Sequence, residues 1–314
     1  MRLVFMGTPA FALPSLERIH RDGHEIASVV TNPDKPSGRG RKLKPPEVKQ
    51  LAKELNLDTI QPRKLSDPVL VEKLTELQPE LFVVVAFRIL PKKLLKIPSF
   101  GSVNLHASLL PKYRGAAPIN WAIINGETET GVTTFLIKPK VDTGDILLQR
   151  KYPIAPDDTY GELYERLSHF GADLLSNTLE LIEKNRISPV SQNEGEVTRA
   201  PKITRDICRL DFARPADEVA NLIRGLSPKP AAFTFFRGKE IKIVRAQYTD
   251  VRVSGEIPGT VKVNRNIKEL MVACADTFIK LKELQPEGKK VMTSAEFING
   301  YQPQDGEMMG DSIN

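Results

Sequence analysis

The sequence predicts an α/β domain built on a parallel sheet, followed by a smaller β-rich domain, within 314 residues. The first half alternates short apolar runs with amphipathic helices, which is typical of β-α-β units. The second half contains closely spaced strands with turn residues between them, as in a small barrel or sandwich. Between them, a polar stretch without periodicity at 187–204 indicates a linker.

The first half opens with the strand RLVFMG, which stops at Gly7, and a helix that ends at Gly23. A second apolar strand, IASVVTN at 26–32, follows and completes a β-α-β unit. The remaining elements are predicted as helices at about 46–56, 67–77 and 159–184 and as strands at 81–87, 102–108, 131–137 and 146–154. Because LFVVVAF is continuously apolar, it is expected to be a central strand covered on both faces.

The second half is predicted to begin with a helix at about 215–225 and to continue with five short strands. Its last residues, GEMMGDSIN, are expected to fray. We therefore assign 1–189 to the first domain, 190–205 to the linker and 206–314 to the second domain.

The composition, with 40% apolar and 27% charged residues, is that of a soluble globular protein. The N-terminal apolar run is too short for a signal peptide, and no stretch approaches a membrane span. Cys208 and Cys274 lie far apart without metal-ligand spacing, so we expect two packed thiols in a reducing cytoplasm.

The net charge of +6 is unevenly distributed. Between Asp34 and Lys49, six lysines or arginines face two acids. Such an excess suits an anionic partner such as nucleic acid, although a solvated surface gives the same pattern.

The stretch NLHASLLPKYRG contains the strongest chemical signal. On a strand, Asn104, His106 and Ser108 would share one face, while Leu105 would be buried on the other. In open α/β sheets, ligands bind where such a strand ends. Pro111 and Gly115 would then shape a stiff turn over a pocket.

These residue types suit acyl transfer without a covalent enzyme intermediate. A histidine can move a proton near neutral pH, and an amide can donate to a developing oxyanion. The turn VDTGDI offers a carboxylate to orient the imidazole, with Asp142 as first candidate and Asp145 as second. The alternatives are a core histidine for His106, a strand-end cap for Asn104 and a turn former for Asp142.

Other chemistries lack their motifs. There is no HExxH or paired Cys/His set, so no metal site is expected, and no GxSxG nucleophile elbow. The first strand is followed by GTPAFA rather than GxGxxG, which argues against a dinucleotide.

Five segments together resemble the methionyl-tRNA formyltransferase family: FMGTPAFALPSL, TNPDKPSGRGRKLKPPEVK, VVVAFRILP, SVNLHASLLPKYRGAAPINWAIINGETETGVT and VDTGDIL. The resemblance implies a Rossmann-like formyltransferase domain and an OB-like barrel that helps to hold tRNA. It implies Asn104, His106 and Asp142 as the catalytic set. It further implies a tetrahydrofolate pocket lined by the following residues: Ser108, Leu109, Leu110 and Pro111.

The same resemblance implies the substrates. The donor would be 10-formyltetrahydrofolate, without a metal, and the acceptor would be methionine on initiator tRNA, for translation initiation. Arg39, Arg41 and Lys42 of the basic loop and Lys202 of the linker would contact the RNA. We expect a cytoplasmic monomer. The segment Ala86 to Pro91 is one residue shorter than the family pattern and lacks its glycine.

Two rival functions remain open from the sequence. A formyl transferase acting on a sugar nucleotide amine, or a formyltetrahydrofolate hydrolase, would use the same core. A non-enzymatic RNA-binding protein could have kept the fold.

Overall fold

The computed structural model describes residues 1–37 and 42–310, with the side chains of Ser37 and Lys42 excepted. The chain forms two compact units. The first contains Met1–Pro118, Thr130–Pro153 and Tyr164–Ala200, and the second contains Ile119–Glu129, Ile154–Leu163 and the residues from Pro201 onward.

The elements up to Ala200 are, in chain order, β1 (Arg2–Gly7), α1 (Leu13–Arg21), β2 (Glu25–Val30), β3 (Lys35–Ser37), β4 (Lys42–Lys44), α2 (Glu47–Glu54), β5 (Thr59–Ile60), α3 (Pro68–Glu76), β6 (Leu81–Val85), α4 (Lys92–Leu95), β7 (Ser102–His106), β8 (Arg114–Gly115), α5 (Pro118–Ile124), β9 (Glu129–Leu136), β10 (Ile146–Pro153), α6 (Tyr160–Glu183) and β11 (Arg199–Ala200).

The main sheet has the strand order β10-β9-β7-β6-β1-β2-β5. Strands β7, β6, β1, β2 and β5 pair in parallel, as predicted, whereas β9 runs antiparallel to β7. The order reverses between β1 and β6, so their carboxyl ends and that of β7 lie at a topological switch point, where such sheets bind ligands.

The central strands are buried on both faces, as their apolar runs predict. All five residues of β6 are buried. Leu105 of β7 packs against α6, where a side chain on Gly171 would come within 2.8 Å of it. The polar alternate residues of β7 are therefore directed to the opposite face.

The elements after Ala200 are α7 (Ala216–Leu226), β12 (Ala232–Phe236), β13 (Lys239–Arg252), β14 (Val261–Asn264), β15 (Glu269–Ala273), β16 (Thr277–Pro286), β17 (Met292–Thr293) and α8 (Ser294–Tyr301). The antiparallel sheet has the order β12-β13-β16-β15-β14, with β17 on β16. Helix α8 begins with a capping box, in which Thr293 and Glu296 satisfy each other's backbone N–H groups.

Part of the segment that the sequence analysis expected to fray, residues 306–310, pairs with the sheet, and residues 311–314 lie outside the described residues. Met309 bridges to Phe236 of β12, and Met308 bridges to Thr260 beside β14. Because β12 and β14 are the two ends of the sheet, this segment joins them and closes the sheet on itself. Met309 is buried, and the burial of its apolar side chain stabilises this segment. The sequence gives no sign of this because the apolar stretch is short and has polar residues on both sides.

Candidate active site

His106 is the last residue of β7 and is buried, with 6% of its surface exposed. Its Nε2 lies 2.9 Å from the backbone oxygen of Tyr113. Because a carbonyl oxygen only accepts hydrogen bonds, we assign a proton to Nε2. The other nitrogen, Nδ1, faces Asp142 Oδ2 at 3.9 Å. Nδ1 is therefore the atom at which His106 can gain or lose a proton.

Asp142 is held on the loop between β9 and β10 in a left-handed conformation, with a φ of 53°. Its Oδ2 accepts a hydrogen bond of 2.9 Å from the backbone N–H of Gly115. The loop approaches β9 so closely that a Cβ on Gly144 would lie 1.4 Å from the Leu136 oxygen. Only glycine fits there, and the tight turn aims the Asp142 carboxylate at His106.

The sequence analysis named two carboxylates, Asp142 and Asp145, that could orient the His106 imidazole, and their contacts in the structure differ. Asp145 Oδ1 accepts hydrogen bonds from Lys138 Nζ at 2.8 Å and from the Ser191 hydroxyl at 3.1 Å. The hydrogen bond from Lys138, followed by that from Ser191, lowers the pKa of Asp145. Asp145 is thus committed to surface contacts, and Asp142 is the carboxylate that faces His106.

Asn104 lies two residues before His106 on the same face of β7. Its backbone pairs with Val84 of β6 and Phe135 of β9, which fixes the position of its side chain. The residue is half-buried, and across the described parts of the chain its amide has no hydrogen-bond partner. The amide group can therefore donate to an oxygen that gains negative charge beside His106.

The residues predicted to line a folate pocket form a fixed turn after β7. The strand ends at His106, so Ser108 does not continue its polar face as the alternation predicted. Ser108 is fully buried, and its hydroxyl donates to the Lys112 oxygen at 2.7 Å. Leu110 and Pro111 are buried and Leu109 is half-buried. Ser108 thus braces the turn with its hydroxyl, and the contact of the four residues with folate stays a prediction.

The predicted RNA-binding residues are placed only in part. Arg39 and Arg41 lie outside the described residues. Lys42 begins β4, which pairs with β3 in an antiparallel hairpin that the sequence analysis missed because prolines and lysines dominate it. Lys202 is exposed and belongs to the second unit.

The segment from Ala86 to Pro91 leaves β6 through a left-handed residue, since Ala86 has a φ of 49°. The Arg88 guanidinium donates to the backbone oxygens of Pro62 and Arg63, and burial lowers the pKa of Arg88. Arg88 is therefore a structural bridge, while Ile89 is 71% exposed beside it.

Sequence reasoning missed the backbone and amide groups that hold the site. The Tyr113 carbonyl and the Gly115 N–H are backbone atoms, so no residue type signals them. Gln192 lies in the stretch that was interpreted as linker, yet residues through Ala200 belong to the first compact unit. The boundaries 1–189, 190–205 and 206–314 stay predictions. The pairing of Arg199 and Ala200 with β8 is a long-range contact that the local sequence does not signal.

Across residues 1–37 and 42–310, no group of three His, Cys, Asp or Glu side chains is arranged to hold a metal ion. Within the same ranges, no helix has the length and apolar character needed to span a membrane.

Comparison with known families agrees with this geometry. A family described as formyl transferase matches residues 1–179, and one described as formyl transferase, C-terminal domain, matches residues 202–302. A solved N-formyltransferase from Helicobacter canadensis, in complex with folinic acid and dTDP-3-aminofucose, superposes with a TM-score of 0.68. The two share 24% identity over 90% of this chain and 98% of that one, which shows a common fold. The fold and the matches define the class as formyl transferase.

Similarity to curated relatives shows which family of formyl transferases the chain belongs to. A methionyl-tRNA formyltransferase of Moorella thermoacetica is 47% identical, over 99% of each chain. Another, of Caldanaerobacter subterraneus subsp. tengcongensis, is 43% identical over 98% of this chain and 100% of the relative. This chain belongs to the methionyl-tRNA formyltransferase family, which confirms the resemblance read from its motifs.

Proposed function

We propose that this chain transfers the formyl group of 10-formyltetrahydrofolate to the α-amino group of methionine on initiator tRNA. It would act as a cytoplasmic monomer in preparing the initiator for translation. The observation that carries the proposal is the arrangement of Asn104, His106 and Asp142 where β7 ends at the switch point. The identity of 43–47% to methionyl-tRNA formyltransferases, over nearly the full chain, supports methionine on tRNA as the acceptor.

The three side chains have complementary tasks in formyl transfer. An amine must be neutral to attack a carbonyl carbon, and it must lose a proton after it has attacked. His106 Nδ1 is the group that can take this proton, because Nε2 is bound to the Tyr113 oxygen. Asp142, at 3.9 Å, stabilises the imidazolium that results.

Asn104 has the electrostatic task. Attack on a carbonyl carbon places negative charge on its oxygen, and a fixed N–H donor stabilises that charge. The Asn104 amide is half-buried and unbonded within the described residues, so it loses no existing hydrogen bond when it donates. Because the residue is only half-buried, a substrate oxygen can reach the Asn104 amide.

The donor would be held beside this set. When bound, 10-formyltetrahydrofolate supplies the formyl carbon: the bond from this carbon to N10 of the folate would break as the bond to the methionine nitrogen forms, and N10 would receive the proton that His106 had taken. Leu109, Leu110 and Pro111 would form an apolar wall for it, with the turn braced by Ser108. The Leu110 N–H already donates to the Thr133 hydroxyl, and the Leu110 carbonyl already accepts from Gln149. Leu110 would therefore contact the folate through its apolar surface rather than through new hydrogen bonds.

The RNA would be held by the basic residues Arg39, Arg41, Lys42 and Lys202. Lysines that contact phosphates release counterions, so their number sets the salt dependence of affinity. Arg39 could instead contact a base edge or an unpaired end, which would affect which tRNA is selected. Neutralising Arg39, Arg41 and Lys42 together should lower the slope of log affinity against log salt by roughly 2–3. An unchanged affinity and slope would contradict the role of the loop.

The experiment is a comparison of acceptors. Purified protein is mixed with 10-formyltetrahydrofolate and, separately, methionine-charged initiator tRNA, methionine-charged elongator tRNA or an amino-sugar nucleotide. We expect formyl-methionine on the initiator and little product elsewhere. A formylated sugar would overturn the acceptor while keeping the reaction class, and a protein that binds tRNA but never consumes the donor would overturn the enzyme assignment.

A further inference from the structure

Gln192 lies at the centre of a hydrogen-bond network behind the candidate active site, on the stretch that follows α6. Its Nε2 donates to the backbone oxygens of Asp142 at 2.9 Å and of Gly144 at 2.7 Å. Its Oε1 accepts from Arg114 Nε at 3.0 Å and from Nη2 at 2.7 Å. The side-chain amide has two donors and two acceptor sites, and all four are used.

Arg114 links this network to the other side of the site. Its guanidinium is buried, with 8% of the side chain exposed. On its N-terminal side, the Tyr113 oxygen accepts from His106, and on its C-terminal side, the Gly115 N–H donates to Asp142. The three residues 113–115 therefore hold both catalytic side chains directly, while the Arg114 side chain reaches the backbone of Asp142 through Gln192.

The segment 113–115 is itself fixed by the chain that carries Gln192. The N–H groups of Tyr113 and Arg114 donate to the hydroxyl and the backbone oxygen of Thr198. Gly115 pairs with Ala200 so closely that an added Cβ would lie 2.4 Å from the Ala200 oxygen. One short stretch of chain, 192–200, therefore positions both His106 and Asp142.

We propose that Gln192 is a positioning residue for formyl transfer, which holds the loop of Asp142 so that the carboxylate faces His106. The inference rests on the proposed function for its kinetic consequence only. Asp142 has a left-handed backbone, which aspartate tolerates better than most non-glycine residues and which hydrogen bonds to the flanking carbonyl groups help to hold. The two hydrogen bonds from Gln192 flank that conformation and supply the constraint.

Glutamine is the residue type that this position requires. Glutamate has the same shape and would still accept from Arg114, with an added opposite charge. However, its second oxygen would face the two carbonyl oxygens of Asp142 and Gly144 without a proton to donate. Gln192→Glu therefore keeps the contact with Arg114 and breaks the contact with the loop, which separates positioning of Asp142 from simple packing of Arg114.

The kinetic test compares Gln192→Glu and Gln192→Met with Glu194→Gln. Glu194 contacts the same guanidinium from solvent, being 65% exposed, and contributes no hydrogen bond to the Asp142 loop. We expect both Gln192 variants to lose about 10–100-fold in kcat, with KM values within about twofold, because misplaced groups slow chemistry more than binding. Glu194→Gln should stay within about twofold. Native-like kcat in Gln192→Glu would overturn the inference.

A second readout needs no substrate. The ¹⁵N resonance of His106 Nδ1 reports its proton and its neighbour. We expect it to move in Gln192→Met in the same direction as in Asp142→Asn, and to stay in place in Glu194→Gln. If the Asp142→Asn shift appears and the Gln192→Met shift does not, the inference fails. Should the native protein transfer no formyl group to tRNA, the proposed function fails while this readout still decides the role of Gln192.

Discussion

Replacing Asp142 by asparagine tests the electrostatic core of the site. The asparagine keeps an oxygen that can accept from the Gly115 N–H, so the loop retains its anchor. What disappears is the negative charge 3.9 Å from His106 Nδ1. With an effective dielectric constant of about 20, two unit charges at this separation interact by about 4 kcal/mol.

In the proposed mechanism, that energy would stabilise the imidazolium formed when His106 takes the amine proton. A loss of about 4 kcal/mol corresponds to roughly a thousandfold in rate, and partial compensation by solvent reduces it. We therefore expect kcat to fall by about 10²- to 10³-fold, with KM for tRNA nearly unchanged. Single-turnover formation of formyl-methionine under saturating donor measures this directly.

Asp145→Asn is the matched control, since it removes the same charge three residues further along the same loop. Asp145 bonds Lys138 and Ser191 and does not face His106, so its loss should change kcat by less than about threefold. The reasoning is refuted if Asp142→Asn stays within threefold of the native rate, or if the two variants lose equal activity.

Three further expectations follow from the same contacts. Asn104→Ala should lower kcat by about 10²–10³-fold at unchanged melting temperature, and near-native turnover would remove Asn104 from the catalytic set. Gly144→Ala should destabilise the protein by about 2 kcal/mol or more in chemical denaturation, because its Cβ would lie 1.4 Å from the Leu136 oxygen. Gly300→Ala in α8 is the control, because a Cβ added there would meet no neighbouring group within 4 Å. This variant should leave the free energy of unfolding unchanged or raise it by up to about 1 kcal/mol. Equal effects of Gly144→Ala and Gly300→Ala on stability would contradict the steric argument. Cys274 is 1% exposed, and burial raises the pKa of its thiol to about 12. A disulfide reagent at pH 8 should therefore modify Cys274 only after unfolding. Rapid labelling of Cys274 in the native protein would contradict its burial.

The sequence predicts the architecture where a pattern repeats. The helices α2, α3, α6 and α7 agree with the predicted ranges to within about two residues, because their apolar periodicity is strong. The antiparallel direction of β9 could not be predicted, since an apolar run does not encode the direction of pairing. The hairpin of β3 and β4 lacks an apolar face and so gives no period-two signal.

The candidate site is predictable where it depends on side-chain chemistry at fixed spacing. Asn104 and His106 share a face because strand alternation requires it. The extension of that face to Ser108 was wrong, because β7 ends at His106 and Ser108 turns inward to bond Lys112. The choice of Asp142 over Asp145 and the role of Gln192 depend on long-range hydrogen bonds, which sequence spacing cannot specify.

The most direct test of the account is a carbon balance with a labelled formyl donor. Native protein, methionine-charged initiator tRNA and donor carrying ¹⁴C in the formyl group are combined, and the label is followed to methionine and to formate. The account predicts that all label leaving the donor is recovered on the α-amino group of methionine, and that His106→Ala slows its transfer greatly. Release of the label as formate at the same rate with and without tRNA would contradict it.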